Sequence, residues 1–223
     1  MISKERKFIF IHIHKTGGTS IEKKLGHFDT LMRDVQDHRS LAEIEELTDR
    51  GFYFRKFLYS IKKGKPQLAQ KNLSLYVSPK LTRKEYDSFY KFSFVRNTWG
   101  RLYSWYANVM RDELHRESYG ITHPNYSMYD FLTEKIKPET FSQLHFLKNR
   151  EGKIAMDFIG RFENLQEDFN TVCDRIGLED SELPRLLISN NAHYTEFYDD
   201  KTKDLVRSLF KEEIDFFNFE YGG

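Results

Sequence analysis

"FIFIHIHKTGGTS", residues 8–20, runs from an apolar stretch straight into a lysine, a threonine and a pair of glycines. "FIFIHI" (8–13) is continuous rather than alternating, the pattern of a strand covered on both faces inside a parallel sheet. "SIEKKLGHF" (20–28) then takes helical spacing. A strand that stops at a Gly-Gly turn and resumes as a helix leaves first-turn N–H groups without intrahelical partners, which makes a seat for an anion. Lys15 supplies a positive charge beside that seat, and Thr19 and Ser20 offer hydroxyl donors. The bland alternative is a tight glycine turn, with Lys15 in solvent and Thr19 capping the helix.

The same strand-to-helix unit recurs outward from this point. "KFSFV" (91–95) is followed by Trp99, Leu102, Tyr103, Tyr106 and Met110 at helical spacing. "IAMDFIG" (154–160) is followed by Leu165, Phe169, Val172 and Ile176 on one helix face, closed by Gly177. Three such units predict a layered α/β domain, 1–223, with a central, mostly parallel sheet flanked by helices. Between the units, "HRSLAEIEELTDRG" (38–51) reads as a helix ending at Gly51, and Thr82 with Glu85 forms a capping box. Leu205, Val206, Leu209, Phe210 and Ile214 predict a packed C-terminal helix. Residues 55–72 and 116–129 carry the weakest pattern and read as insertions or lids.

Composition narrows the partners. Lys and Arg number 35 against 34 Asp and Glu, a net charge of +1, so no global field draws in nucleic acid or an anionic membrane, and any anion site is local. The basic run 55–65 reads as a solvated face, with a grip on an acidic polysaccharide as the sharper alternative. The single cysteine, Cys173, excludes an internal disulfide and a thiolate metal cluster, and its helical context reads as a buried thiol. No stretch approaches a membrane span and the N-terminus lacks a signal-peptide pattern, so the expectation is a cytoplasmic protein.

A second anion element sits in "FSFVRNTWGRLYSWY" (92–106), where a buried strand ends at Arg96 and Ser104 follows along the next helix. Arg96 can bind phosphate bidentately and Ser104 can add a hydroxyl; the plain reading is a salt-bridged arginine and a helix-bonded serine. The nucleotide-triphosphate loop is absent, because that pattern places lysine after the last glycine and Lys15 precedes both. Asp157, the nearest candidate for a magnesium-binding aspartate, falls inside its expected strand. The expectation is therefore anion chemistry without a metal.

"HIHKTGGTS" and "FVRNTWGRLYSWY" together resemble the two nucleotide-binding signatures of the sulfotransferase family that includes heparan sulfate 2-O-sulfotransferase. "DFIGRFENLQEDF" (157–169) and the region from "NNAHYTEFYDD" (190–200) to "FFNFEYG" (216–222) resemble later segments of that family. The resemblance implies a P-loop-like three-layer α/β fold and an enzyme that moves a sulfuryl group from 3′-phosphoadenosine 5′-phosphosulfate (PAPS) to a hydroxyl, with a saccharide as acceptor. By position, Lys15, Thr16, Gly17, Gly18, Thr19 and Ser20 hold the 5′-phosphosulfate, and Arg96 and Ser104 hold the 3′-phosphate. His14 and Thr98 stand where the family's usual form has proline, which loosens the local backbone, and Gly100 stands where an acidic residue is common.

Sulfuryl transfer needs a base for the acceptor hydroxyl and a positive charge at the leaving oxygen. Lys15 suits the second role. The resemblance places the base at His38, with His14 as the alternative, while His12 reads as a core residue. Arg161 is a donor or acceptor contact, or else a partner of Glu163 or a cap. Trp99 reads as core. Two other functions compete: a nucleoside or small-molecule kinase, and a catalytically silent nucleotide-binding module.

Overall fold

The computed structural model describes residues 1–28, 36–184 and 193–223. Positions 190–192 of the "NNAHYTEFYDD" segment therefore lie outside the described residues. Four strands form one sheet in chain order: β1 (Ile2–Ser3), β2 (Phe8–Ile11), β3 (Tyr90–Val95) and β4 (Phe158–Arg161). β1 runs antiparallel to β2, while β2, β3 and β4 are parallel. After β2 come α1 (Gly18–Lys24), α2 (Leu41–Glu46), α3 (Arg50–Lys62), α4 (Pro66–Val77) and α5 (Arg83–Ser88). Between β3 and β4 lie α6 (Thr98–Met110), α7 (Glu113–Ser118), α8 (Met128–Glu134), α9 (Pro138–Phe141) and α10 (Gln143–Leu147). α11 (Leu165–Ile176), α12 (Asp200–Leu209) and α13 (Lys211–Phe217) complete the chain.

The sheet is buried on both faces, which is why its strands read as unbroken apolar runs. Successive side chains point to opposite faces. One face gathers Phe8, Phe10, Phe92 and Phe94 against Ile21 of α1 and Phe169, Val172, Cys173 and Ile176 of α11. The other face carries Ile9, Ile11 and Val95 against α2, α6, α8, α10, α12 and α13. Phe10 pairs with Phe92 across the ladder and their rings stack at 5.0 Å. The result is the expected three-layer α/β architecture. Cys173 is a buried thiol whose pKa burial pushes up to about 11, so it is inert.

Four expectations need correction. Gly51 does not end a helix: α2 stops at Glu46, and Asp49 accepts from the Phe52 N–H at 3.1 Å, starting α3 with Gly51 as its second residue. The third parallel strand begins at Phe158, because Ile154 pairs back with Lys148 and the Asp157 carboxylate takes the Lys91 N–H at 2.7 Å. Asp157 therefore stands just before its strand. The C-terminal helix is two helices, broken at the buried Phe210. Residues 55–72 belong to a helical hairpin, α3 with α4, and 116–129 include the end of α7 and the start of α8. The Thr82–Glu85 box and the Gly177 closure of α11 are as expected.

The Phe face carries the anchoring of α11. Replacing Phe169 by Ala lowers unfolding free energy by about 3–5 kcal/mol, whereas Phe216→Ala, at 53% exposure, changes it by less than about 0.5 kcal/mol. Urea unfolding followed by circular dichroism measures both.

Candidate functional site

The loops that leave the carboxyl ends of β2, β3 and β4 border one open cleft of about 1920 Å³. That is where parallel α/β sheets place their ligands. β2 contributes His12, His14, Lys15, Gly17, Gly18, Thr19 and Ser20; β3 and α6 contribute Arg96, Gly100, Ser104 and Arg111; β4 leads to Phe162 and Glu163. His38 and Gln36 close one side. A smaller depression beside Tyr90, Asp157 and Arg175 holds none of the residues that the sequence offered for an anion. Of the residues assigned to the cradle, the 3′ side and the base, all but Thr16 line the cleft, while Arg161 does not.

The cradle is built by two left-handed residues. Lys15 has φ 67° and Gly17 has φ 80°, which bends the backbone sharply between β2 and α1. Lysine in this region is strained by roughly 1–2 kcal/mol, an arrangement kept where the surroundings enforce it. The enforcement is visible: the Thr16 hydroxyl is fully buried and donates to the Ile13 carbonyl at 2.9 Å, so Thr16 locks the turn from inside. Any part it takes in binding an anion falls to its backbone N–H. Gly18 has no room for a side chain, since a Cβ there lies 2.0 Å from the His12 ring. α1 has no side-chain cap, unlike α2, α3, α5 and α6, which Ser40, Asp49, Thr82 and Asn97 cap. Its Ser20 N–H donates to the Gly17 carbonyl at 3.1 Å, so the first-turn donors left for a ligand are those of Gly18 and Thr19. Thr19 meanwhile donates to Gln36 at 3.3 Å, tying the cradle to the segment that carries His38.

Positive charge gathers here, uncompensated at Lys15. Burial, with Arg96 and Arg111 adding to it, lowers the Lys15 pKa to about 8, with no carboxylate acting in the other direction. Burial brings Arg96 down to about 10, with Glu163 offsetting part of the effect. Arg96 donates to the Lys15 carbonyl at 3.3 Å, and its guanidinium lies 4.1 Å over the Phe162 ring. The two anion elements of the sequence are thus joined. Gly100, Ser104, Ala107 and Asn108 of α6 and Arg111 just past its end face the cleft at helical spacing, and a Cβ at Gly100 would lie 3.1 Å from the Tyr194 ring, so the glycine lets that ring close on α6.

A buried polar network fixes Arg96 from behind. Gln143 accepts from the Arg96 N–H at 2.8 Å and donates to the Arg96 carbonyl at 2.9 Å. Gln143 in turn donates to Glu213, which also accepts from the hydroxyls of Thr98 at 2.7 Å and Ser142 at 2.9 Å. The Asn97 N–H donates to Glu163 at 2.8 Å. Thr98 therefore ties the loop down rather than loosening it. Gln143 and Glu213 went unseen in the sequence because each sits on an otherwise apolar helix face with no motif around it. Arg111 was legible as the continuation of the Gly100–Ser104 spacing.

Three imidazoles cluster at the cradle's edge. The His14 and His38 rings are 3.7 Å apart and those of His12 and His38 4.2 Å. His38 Nδ1 lies 3.1 Å from the His12 carbonyl, which only accepts, so Nδ1 carries the proton and Nε2 keeps a lone pair. Burial lowers the His38 pKa to about 4 and lowers that of His14 much further, with neighbouring His38 adding to the effect at His14. Both are neutral at pH 7. His12 is buried, as expected for a core residue, with Nδ1 3.1 Å from Glu22. Trp99 is also core, while Arg161 caps α13 by donating to the Phe217 carbonyl at 2.6 Å.

The sulfotransferase family profile matches residues 1–220, nearly the whole chain, and the chain belongs to that family. An uncharacterized protein of Archaeoglobus fulgidus is 28% identical over 97 residues, which is 43% of this chain and 74% of that protein. No solved structure matches the chain.

The close fit of Gly18 under His12 sets a measurable coupling. Gly18→Ala lowers stability by about 1–3 kcal/mol, and adding His12→Ala recovers part of that loss. Thermal unfolding of the two single variants and the double variant shows the non-additivity; additive losses would place the ring elsewhere.

Proposed function

We propose that this member of the sulfotransferase family uses PAPS as sulfuryl donor and a hydroxylated saccharide as acceptor, with His38 as the base. One observation carries the reading: Lys15 and Arg96 are held together at the floor of a cleft, and no carboxylate among the described residues pairs with Lys15. Such a pair is waiting for a dianion. A donor with phosphate groups at both ends of its ribose uses both elements, with the Lys15–Ser20 cradle on the 5′ side and Arg96 with Ser104 on the 3′ side. The cleft exceeds the roughly 300–1,000 Å³ of a one-ligand pocket, leaving space for donor and acceptor together. Aromatic side chains at Tyr103, Trp105 and Phe197 line the part beyond the cradle and suit the C–H faces of a sugar.

The chemistry assigned to the residues follows from their states. His38 Nε2 takes the proton of the acceptor hydroxyl as its oxygen bonds to sulfur. The bond from sulfur to the bridging oxygen breaks, and Lys15 neutralises the charge left on that oxygen. Backbone N–H groups at Gly18 and Thr19 hold the equatorial oxygens. His14, far more depressed in pKa, is the weaker base; wedged among His38, Trp105 and Phe146, it positions the His38 ring. Catalysis in the cytoplasm is part of the same proposal.

Isothermal titration with adenosine 3′,5′-bisphosphate tests the donor site. Binding exceeds that of AMP by more than about tenfold, the worth of a charge-assisted contact, and Arg96→Ala erases the difference. Equal binding of the two nucleotides, or magnesium-dependent turnover of ATP, overturns the assignment.

Transfer assays test the roles. Lys15→Ala lowers kcat by about 10²–10³. His38→Ala lowers it by about 10²–10⁴, with bisphosphate binding changed less than about threefold. The pH profile of kcat/KM, which reports the free enzyme, rises near pH 4 as His38 loses its proton and falls above about pH 8 as Lys15 loses its own. An acid limb near 6.5 would mean that the base is not the buried His38.

A further inference from the structure

The near-neutral net charge of the chain conceals a strongly basic segment. Residues 50–77, the α3–α4 hairpin, contain seven Lys and Arg and no Asp or Glu. Against a whole-chain net of +1, those seven charges leave the rest of the chain at −6. Among the described ion pairs only Arg55 of this segment reaches a carboxylate, Asp49 at the hairpin's root. Lys62, Lys63 and Lys65 crowd the turn between the helices, where Gly64 reverses the chain.

The hairpin is also inside out. Its interior holds Tyr53, Ala69 and a polar pair, with Asn72 donating to Ser60 at 3.1 Å. Its large apolar side chains face outward: eight of the eleven large exposed hydrophobics among the described residues lie in 50–77. Leu58 is 49% exposed, Ile61 55% and Val77 66%. Phe54, Leu58 and Ile61 recur at i, i+4 and i+7, one stripe along α3 that leads to the lysine-rich turn. α3 and α4 pack chiefly on each other and stay clear of the cleft. A contiguous apolar surface of this kind marks an interaction site.

We propose that the α3–α4 hairpin docks this protein on an anionic lipid bilayer surface. Two demands select this occupant. The charge requires an anionic partner, which sets a like-charged hairpin of a second copy aside. The aliphatic stripe requires an apolar medium beneath the charges, which a polyanion such as nucleic acid or a sulfated polysaccharide does not offer. A bilayer interface supplies both, with lysines at the headgroup level and apolar side chains in the acyl boundary. No helix among the described residues is long and apolar enough to cross a membrane, so the hairpin lies on the surface. The proposal stands independently of what the cleft transfers.

Vesicle co-sedimentation of the full chain tests it. The protein binds phosphatidylcholine vesicles containing about one third phosphatidylserine and does not bind pure phosphatidylcholine, and added salt weakens binding. A Lys62→Ala, Lys63→Ala, Lys65→Ala variant partitions about a hundredfold less, at roughly fivefold per lysine. A Leu58→Ser, Ile61→Ser variant partitions at least about tenfold less. All five side chains are exposed, so circular dichroism and melting temperature stay at the parent values, which separates lost docking from lost fold. Failure to bind the anionic vesicles overturns the proposal. So does unchanged binding by the Leu58/Ile61 variant, which would reduce the effect to charge adsorption. Light scattering showing a dimer that the Leu58/Ile61 variant dissolves would assign the stripe to a second copy, and binding to heparin or DNA in preference to the vesicles would assign the charges to a polyanion; either also overturns it.

Discussion

A half-buried lysine without a counter-charge, held beside a half-buried arginine, is the constraint around which this molecule is built. Moving a lysine and an arginine out of water is costly, and the cost is recovered when an anion arrives. The depressed pKa of Lys15, near 8, and of Arg96, near 10, record that cost in the free protein. The left-handed backbone at Lys15 adds local strain to it. Both expenses fall at one place because β2 and β3 are hydrogen-bonded parallel neighbours, so the residues that follow them emerge side by side.

Holding that arrangement open requires support from residues that never face the cleft. Glu213, 1% exposed, accepts from Thr98, Ser142 and Gln143, and Gln143 brackets Arg96 through both its N–H and its carbonyl. The buried Arg101 stands 3.9 Å from the same carboxylate and donates to the Phe141 carbonyl. The bonded network around Glu213 and Gln143 is rigid, because loss of any one partner strands a buried polar group. It joins α13 at the far end of the sequence to the loop after β3. The C-terminal helices thus serve the site by orienting Arg96.

What could be read from the sequence divides along the same line. β2, α1, β3, α6 and α11 were legible because each is specified locally, by an apolar run, a helical face or a glycine at a fixed offset. The cleft-facing residues followed, since Lys15, Gly17–Ser20 and Arg96 lie within nine positions of those strand ends and Ser104 sits on the helix that follows β3. The Glu213–Gln143–Arg96 network was illegible because its members are 47 and 70 residues apart and meet only through the tertiary fold. The helix restart at Asp49 was missed because Gly51 is a stronger textual stop than one aspartate is a start. In the hairpin 50–77 the apolar residues at helical spacing, Phe54, Leu58 and Ile61, face solvent and not a core, reversing the rule by which a helical face is recognised.

The two positions where the family's usual form has proline show how rigidity can be rebuilt by other chemistry. Proline would fix φ and restrict the preceding residue. At Thr98 the same fixity comes from a hydroxyl donated to a buried carboxylate. At His14 it comes from aromatic packing, with the imidazole held against His38, Trp105 and Phe146. That packing works only if the rings carry no like charges, and burial lowers the pKa of both His14 and His38 far enough to keep them neutral. The residue that stiffens the loop before Lys15 therefore also packs against the histidine beside it, so that in this chain the backbone of the cradle and the candidate base are held by one contact.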